Sequence, residues 1–200
     1  MTPAARRGIV GFAVGLALLS GALAYLYARW GAGFGGEQVA ALEIGGPFVL
    51  TDQNGELRRS EEFRGKLMLV YFGYTFCPDA CPTALQDMSA ALDLLGDKAS
   101  AVQPIFITID PERDTVAQMK LYASNFHPRL LALTGSPEAI AAAARAYRVY
   151  YQKQTGGNAG EYLMDHSGLI YLMGRDGRYL GHFSPGITPA EIAAAISSHL

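Results

Sequence analysis

Cys77 and Cys81 are the only two cysteines of the 200-residue chain, set four apart in Gly73-Tyr74-Thr75-Phe76-Cys77-Pro78-Asp79-Ala80-Cys81-Pro82. At the start of a helix this spacing brings both sulfurs to one side. Free backbone N–H groups and the positive end of the helix dipole favour thiolates there, the form that attacks disulfides and binds metal. Pro82 suits an early helical position, where its missing N–H has no partner to lose. Two cysteines are too few for a disulfide framework or a four-thiolate zinc site. Three chemistries remain open. A structural disulfide closes so short a loop that it removes little chain entropy. A redox dithiol fits the position, although Cys-x-x-x-Cys is one residue longer than the usual oxidoreductase pair. A soft-metal site needs a third ligand from elsewhere.

The chain has four histidines. His127, before Pro128, and His199, beside the C-terminus, read as capping or solvent-facing residues, and His182 as a half-buried strand residue. His166 differs: Met164-Asp165-His166-Ser167-Gly168 directly precedes an apolar run. In Asp110-Pro111-Glu112-Arg113-Asp114-Thr115, Asp114 or Thr115 reads as a helix cap, and Arg113 as the partner of an acid, with Asp79 a candidate. Asp110 falls at the carboxyl end of a strand, the edge where α/β sites form. Tyr147 to Tyr151 reads as strand and core packing.

The elements that must position these residues follow from hydrophobic period and turn residues. Phe48–Asp52 and Leu57–Arg58 flank Asn54-Gly55, a tight hairpin turn. Leu67–Tyr74 is a continuous apolar run, as for a strand covered on both faces. Ala84, Leu85, Met88, Leu92 and Leu95 recur at helical spacing until Gly96. Val102–Ile109 reads as a strand whose beginning is an edge or irregular lead-in because of Pro104. A helix through Phe126 follows, with Val116, Met119 and Tyr122 on one face. Then come a buried strand over Leu130–Leu133 and a helix opened by Ser136-Pro137 that runs to about Tyr147. A hairpin, Leu169–Met173 and Tyr179–Phe183 around Asp176-Gly177, and a helix from Thr188-Pro189 complete the chain.

Strands alternating with helices require a mainly parallel centre, with the hairpins supplying antiparallel strands. A cysteine pair where the first central strand meets its helix makes this an α/β, thioredoxin-like sandwich with a central mixed sheet. In that fold the loop before the late strand faces the cysteines. A cis-proline usually stands there in dithiol oxidoreductases, but this chain has no proline between Pro137 and Pro185 and offers His166 instead. Two thiolates and an imidazole suit Cu(I), and Cu(II) if another ligand joins. Asp165 is placed to orient the ring or a neighbour from outside the ligand set.

Residues 9–28 contain no acid or base, and as a helix they extend ~30 Å, enough to cross a bilayer core. Arg6 and Arg7 favour a cytoplasmic N-terminus, and Tyr25, Tyr27 and Trp30 mark the far interface. A cleavable signal peptide competes, through Ala22-Leu23-Ala24, but its apolar core would be shorter. The expected layout is a cytoplasmic end (1–8), an anchor (9–28), a flexible spacer (29–46) and a thioredoxin-like copper-binding domain (47–200). That places the domain in a periplasm, tethered to a bacterial inner membrane. Beyond residue 29 the chain carries 13 bases against 18 acids, so no cationic field invites nucleic acid.

Taken together, GYTFCPDACP, IDPERDT, AYRVYY and MDHSGLIYLM resemble, in order and spacing, the Sco/SenC proteins. The resemblance runs from about Phe48 to the C-terminus, and the preceding anchor is similar too. It implies a thioredoxin-like domain that binds copper through Cys77, Cys81 and His166. It also implies a chaperone role in assembling the dinuclear copper centre of cytochrome c oxidase subunit II, by copper delivery, by reduction of that site's cysteines, or both. Other periplasmic copper chaperones and thiol reductants are the further partners this implies. Ala80 stands where valine is common, a change of packing rather than of chemistry. The alternative of another class is a thiol–disulfide reductase working through Cys77 and Cys81 without copper transfer. A peroxiredoxin-type enzyme is a third, and it has no need of a second cysteine so close.

Overall fold

A computed structural model of the chain describes residues 17–29, 43–154 and 162–200. The chain divides into two compact units, Met1–Leu42 and Glu43–Leu200. In the first, residues 17–29 form a helix, α1, with Leu18, Leu19, Leu23 and Leu26 exposed. The span expected over residues 9–28 lies partly outside the described residues. Among those described, no helix is long and apolar enough to cross a membrane.

The second unit opens on Ile44, packed against the core, and Gly45, whose N–H donates to the Ala146 carbonyl. Residues 43–46, given to the spacer on sequence grounds, thus pack with the domain. β1 (Val49–Asp52) and β2 (Leu57–Arg59) form the first hairpin, where Gly55 takes a φ of 87° that suits glycine. There follow β3 (Leu67–Gly73), α2 (Ala80–Leu95), β4 (Val102–Thr108), α3 (Val116–Ala123), β5 (Leu131–Thr134) and α4 (Pro137–Ala146). The chain continues as β6 (Tyr151–Lys153), β7 (Met164–His166), β8 (Ile170–Met173), β9 (Tyr179–Phe183) and α5 (Pro189–Ser197).

Seven strands make the main sheet in the order β2-β1-β5-β4-β3-β8-β9, with β3, β4 and β5 parallel and the outer pairings antiparallel. The expected central mixed sheet is therefore present. β3 is buried at every position, as its unbroken apolar run requires. Ser136 and Thr188 cap α4 and α5, each followed by proline in the first turn.

β4 begins as an edge on one side, since Pro104 stands opposite Leu69 of β3 but β5 pairs only from Ile105 onward. Three local readings change. α3 stops at Ala123 rather than Phe126, while Thr115, one of the two expected cap residues, is its cap. Tyr147 ends α4 instead of opening a strand, and only Tyr151 of that segment is in one. β6 and β7, a two-stranded sheet of their own, replace the loop expected around His166.

Asp114 is fully buried, and among the described residues no cation pairs with its carboxylate. Its oxygens accept the Thr75 N–H (3.0 Å), the Thr75 hydroxyl (2.6 Å) and the Thr108 hydroxyl (2.6 Å), while its carbonyl accepts the Thr134 hydroxyl. The side chain thus ties the turn after β3 to the end of β4, and the backbone carbonyl of the same residue adds the end of β5. Asp114→Ala strands the Thr75 and Thr108 donors and is expected to cost roughly 2–4 kcal/mol in chemical denaturation. Burial raises the carboxyl above 3.8, so the folded protein gives up this proton at higher pH than the unfolded chain does. Stability relative to Asp114→Asn is expected to fall as pH rises from below 3.8 through the raised value. A difference that stays constant over that range would exclude this carboxyl as its source.

Candidate metal centre

β3 delivers the chain to the edge of the sheet at Gly73, and Thr75 is pinned there by Asp114. The turn that follows carries Cys77, and α2 begins at Ala80, so Cys81 lies in the first turn of that helix. The Cys81 N–H points at the Cys77 sulfur, 3.4 Å away, as the free N–H groups of a helix start allow. Gly73 makes the room: a Cβ there would stand 2.6 Å from the Cys81 sulfur. Cys81 is buried, Cys77 is partly exposed, and both are free thiols.

The third donor comes from β7. His166 Nε2 lies 3.5 Å from the Cys81 sulfur. One ligand atom from each of Cys77, Cys81 and His166 falls within 4.8 Å of the others. His166 Nδ1 is 3.1 Å from the Ser167 carbonyl, a contact that fixes the ring with Nε2 on the sulfur side. Tyr71 and Tyr74 set their rings nearly perpendicular to the imidazole, at centroid distances of 6.1 and 6.0 Å. Ser167 is in turn held by Tyr150 through both its N–H and its hydroxyl.

Asp165 does not orient this ring. Neighbouring strand residues point to opposite faces, so it turns outward and accepts the Gln154 amide at 2.7 Å. Asp79 does not hold Arg113, which pairs with Asp110 at 2.5 Å and stacks on Tyr162, 3.6 Å from the ring centroid. Tyr162 closes that cluster by donating its hydroxyl to Asp110. Asp110 is thus structural support beside the site, and Arg113 also faces the Phe76 ring at 4.7 Å. His127 accepts the Arg129 N–H, His182 is exposed beside Tyr179, and neither joins the centre. The sequence assigns no role to Gly73, Tyr71 or Ser167. Only the glycine that ends an apolar strand just before the cysteines was a sequence cue for any of them.

The two thiols share one negative charge. The Cys77 thiol is held well below the usual range, first by the hydrogen bond from Cys81, against burial and with help from His166 and the N–H groups of Cys81 and Asp79. Cys81 is pushed up by that same bond, by burial and by the charge on Cys77. Two sulfurs and an imidazole nitrogen are soft donors, matched to a soft cation rather than to magnesium or calcium. The same pair, an accessible thiolate backed by a buried thiol, is also competent for disulfide exchange.

Comparison with known proteins agrees with this geometry. Residues 36–200 match the family model described as SCO1/SenC. A SCO2-like protein of Rickettsia prowazekii is 42% identical over 152 residues, covering 76% of this chain and 74% of that protein. The structure of Bradyrhizobium japonicum ScoI with copper bound is 50% identical and superposes with a TM-score of 0.74, over 78% of this chain and 99% of that one. BsSco, whose structure is described with a disulfide switch and as one of the Sco family of cytochrome c oxidase assembly proteins, is 25% identical. Its TM-score is 0.64, over 78% of this chain and 93% of that one. The cysteine-bearing turn and the histidine strand both lie inside the matched stretch, and the chain belongs to the SCO1/SenC family.

Proposed function

We propose that this protein is a membrane-anchored copper chaperone that serves cytochrome c oxidase assembly, with Cys77, Cys81 and His166 as copper ligands. The observation that carries this reading is the convergence of exactly these three donor atoms within 4.8 Å. A three-donor soft set suits Cu(I), and it accepts Cu(II) when a further ligand joins. Cys77, partly exposed and disposed to be thiolate, is the ligand an incoming thiolate would meet first. Stepwise thiolate exchange then hands the ion on, one new bond forming before an old one is lost. The target is the dinuclear copper centre of oxidase subunit II, consistent with what is said of BsSco and with the family resemblance. The uncharged run over residues 9–28, with its apolar side chains exposed on α1, supports a tether to a bacterial inner membrane and a periplasmic domain.

A second reading is favoured by the asymmetry of the thiols. An accessible Cys77 thiolate attacks a partner disulfide, and the buried Cys81 thiol resolves the mixed disulfide, leaving the partner reduced and this pair oxidised.

Three measurements decide between them. His166→Ala is expected to weaken Cu(I) binding, in competition with a chromophoric chelator, at least about tenfold, since even outer partners of metal ligands are worth roughly 10–100-fold. Unchanged affinity and spectrum would remove His166 from the ligand set. Gly73→Ala forces the Cys81 sulfur aside and is expected to cost about 1–3 kcal/mol of stability and to weaken copper binding in the same titration. Cys81→Ser is expected to trap a mixed disulfide through Cys77 if reduction is the main activity, with His166→Ala still reducing. No trapped species, together with copper transfer lost in both variants, would leave delivery as the role.

A further inference from the structure

A groove of about 290 Å³ opens beside the metal centre. Tyr71 forms one wall, and its ring packs edge-on to His166. Ala80 and Ala84 of α2 line a second side, and Ile170, Pro185 and Ile187 supply the rest of the apolar lining. Gly168, two residues beyond His166, also borders it. Whatever fills this groove therefore lies against α2, which carries Cys81, and against the chain just after His166.

Its polar character has one sign. Asp79 and Asp87 both line the groove, and no lysine or arginine does. Among the described residues neither carboxylate is in an ion pair, and Asp87 is partly buried. Asp79 is engaged only with the Thr83 hydroxyl at 3.4 Å. The two acids are eight residues apart on α2, ~12 Å along the axis, too far to share one ion. A half-buried carboxylate with no cation is unfavourable until one is brought to it. Anionic lipid would be repelled by both acids, and a second copy of this chain would bring the same acidic rim to itself.

We propose that this groove seats an extended segment of the protein with which the thiols exchange, through one apolar side chain flanked by lysine or arginine. The apolar side chain fills the space between Tyr71, Ile170 and Ile187, and the cations meet Asp79 and Asp87. Docking here holds the partner's own sulfurs beside Cys77 and supplies the specificity that an exposed three-ligand centre lacks. That the occupant is the exchange partner rests on the copper-transfer reading above.

The test is selection of a random short-peptide display library against the full chain in neutral-lipid nanodiscs, followed by fluorescence anisotropy of the selected sequence. Selected peptides are expected to carry an apolar residue with a neighbouring Lys or Arg. Their binding is expected to weaken at least about fivefold in Asp87→Lys, less in Asp87→Asn, and to fall with added salt. Copper affinity and melting temperature are expected to stay unchanged in both variants. Peptides of no basic character, or equal binding by wild type and Asp87→Lys, would overturn the assignment. A wild type that takes copper but selects no peptide sinks the groove alone. One that selects basic peptides but takes no copper sinks the transfer reading and leaves the groove.

Discussion

The site depends on a buried carboxylate that, among the described residues, is met by hydrogen-bond donors rather than by a cation. Asp114 is stabilised in the interior only by the donors that converge on it, and two of these belong to Thr75. Losing them would leave a charge or an acid stranded, so the turn after β3 has one permitted path. Gln118 of α3 adds a further bond to the Thr75 hydroxyl. Thr75 is two residues before Cys77, and the geometry of the sulfurs therefore follows from hydrogen bonds made beneath them. Thr115 caps α3 next door, so Asp114 is free to face inward rather than serve the helix.

From that anchor the two sulfurs acquire different characters. Gly73 lets Cys81 sink against the sheet, where burial and the neighbouring charge keep its proton in place. Cys77 stays near the surface at the helix start, where N–H groups and the second thiol stabilise its negative charge. A single charge on the accessible sulfur is what both a soft cation and a disulfide would meet. The third donor distinguishes the two chemistries. An imidazole held with Nε2 toward the sulfurs adds a metal ligand, whereas disulfide exchange has no need of one.

Much of this was legible in the chain. The continuous apolar run of β3, the Asn54-Gly55 and Asp176-Gly177 turns and the Ser136 and Thr188 caps each carry a local physical rule, and the mixed character of the sheet follows from the alternation of strands and helices. The cysteine spacing and the place of His166 before β8 were enough to nominate the donors. What failed to show were relations between distant segments. Asp114 looks like a cap because its neighbour is one, and only Thr75, 39 residues away, reveals its task. Asp165 turns away from the centre because it alternates with His166 along β7, a constraint that a loop would not impose. Arg113 found an acid within its own turn, Asp110, since a contact three residues away closes more readily than one to Asp79.

The register of the small sheet makes the last of these points mechanistic. β6 and β7 pair Tyr151 with His166, Gln152 with Asp165 and Lys153 with Met164, and the Gln154 and Ser167 N–H groups close the two ends. A slip of one residue would send His166 outward and bring Asp165 in, replacing a soft nitrogen by a hard oxygen. Backbone bonds alone seldom forbid such a slip in a two-stranded ribbon. Here Tyr71 and Tyr74 fix the inward face by enclosing the imidazole, and Ser167 fixes the ring through Nδ1. The identity of the third donor is thus set by aromatic packing from β3 and the turn beyond it, the same stretch of chain that supplies the two sulfurs.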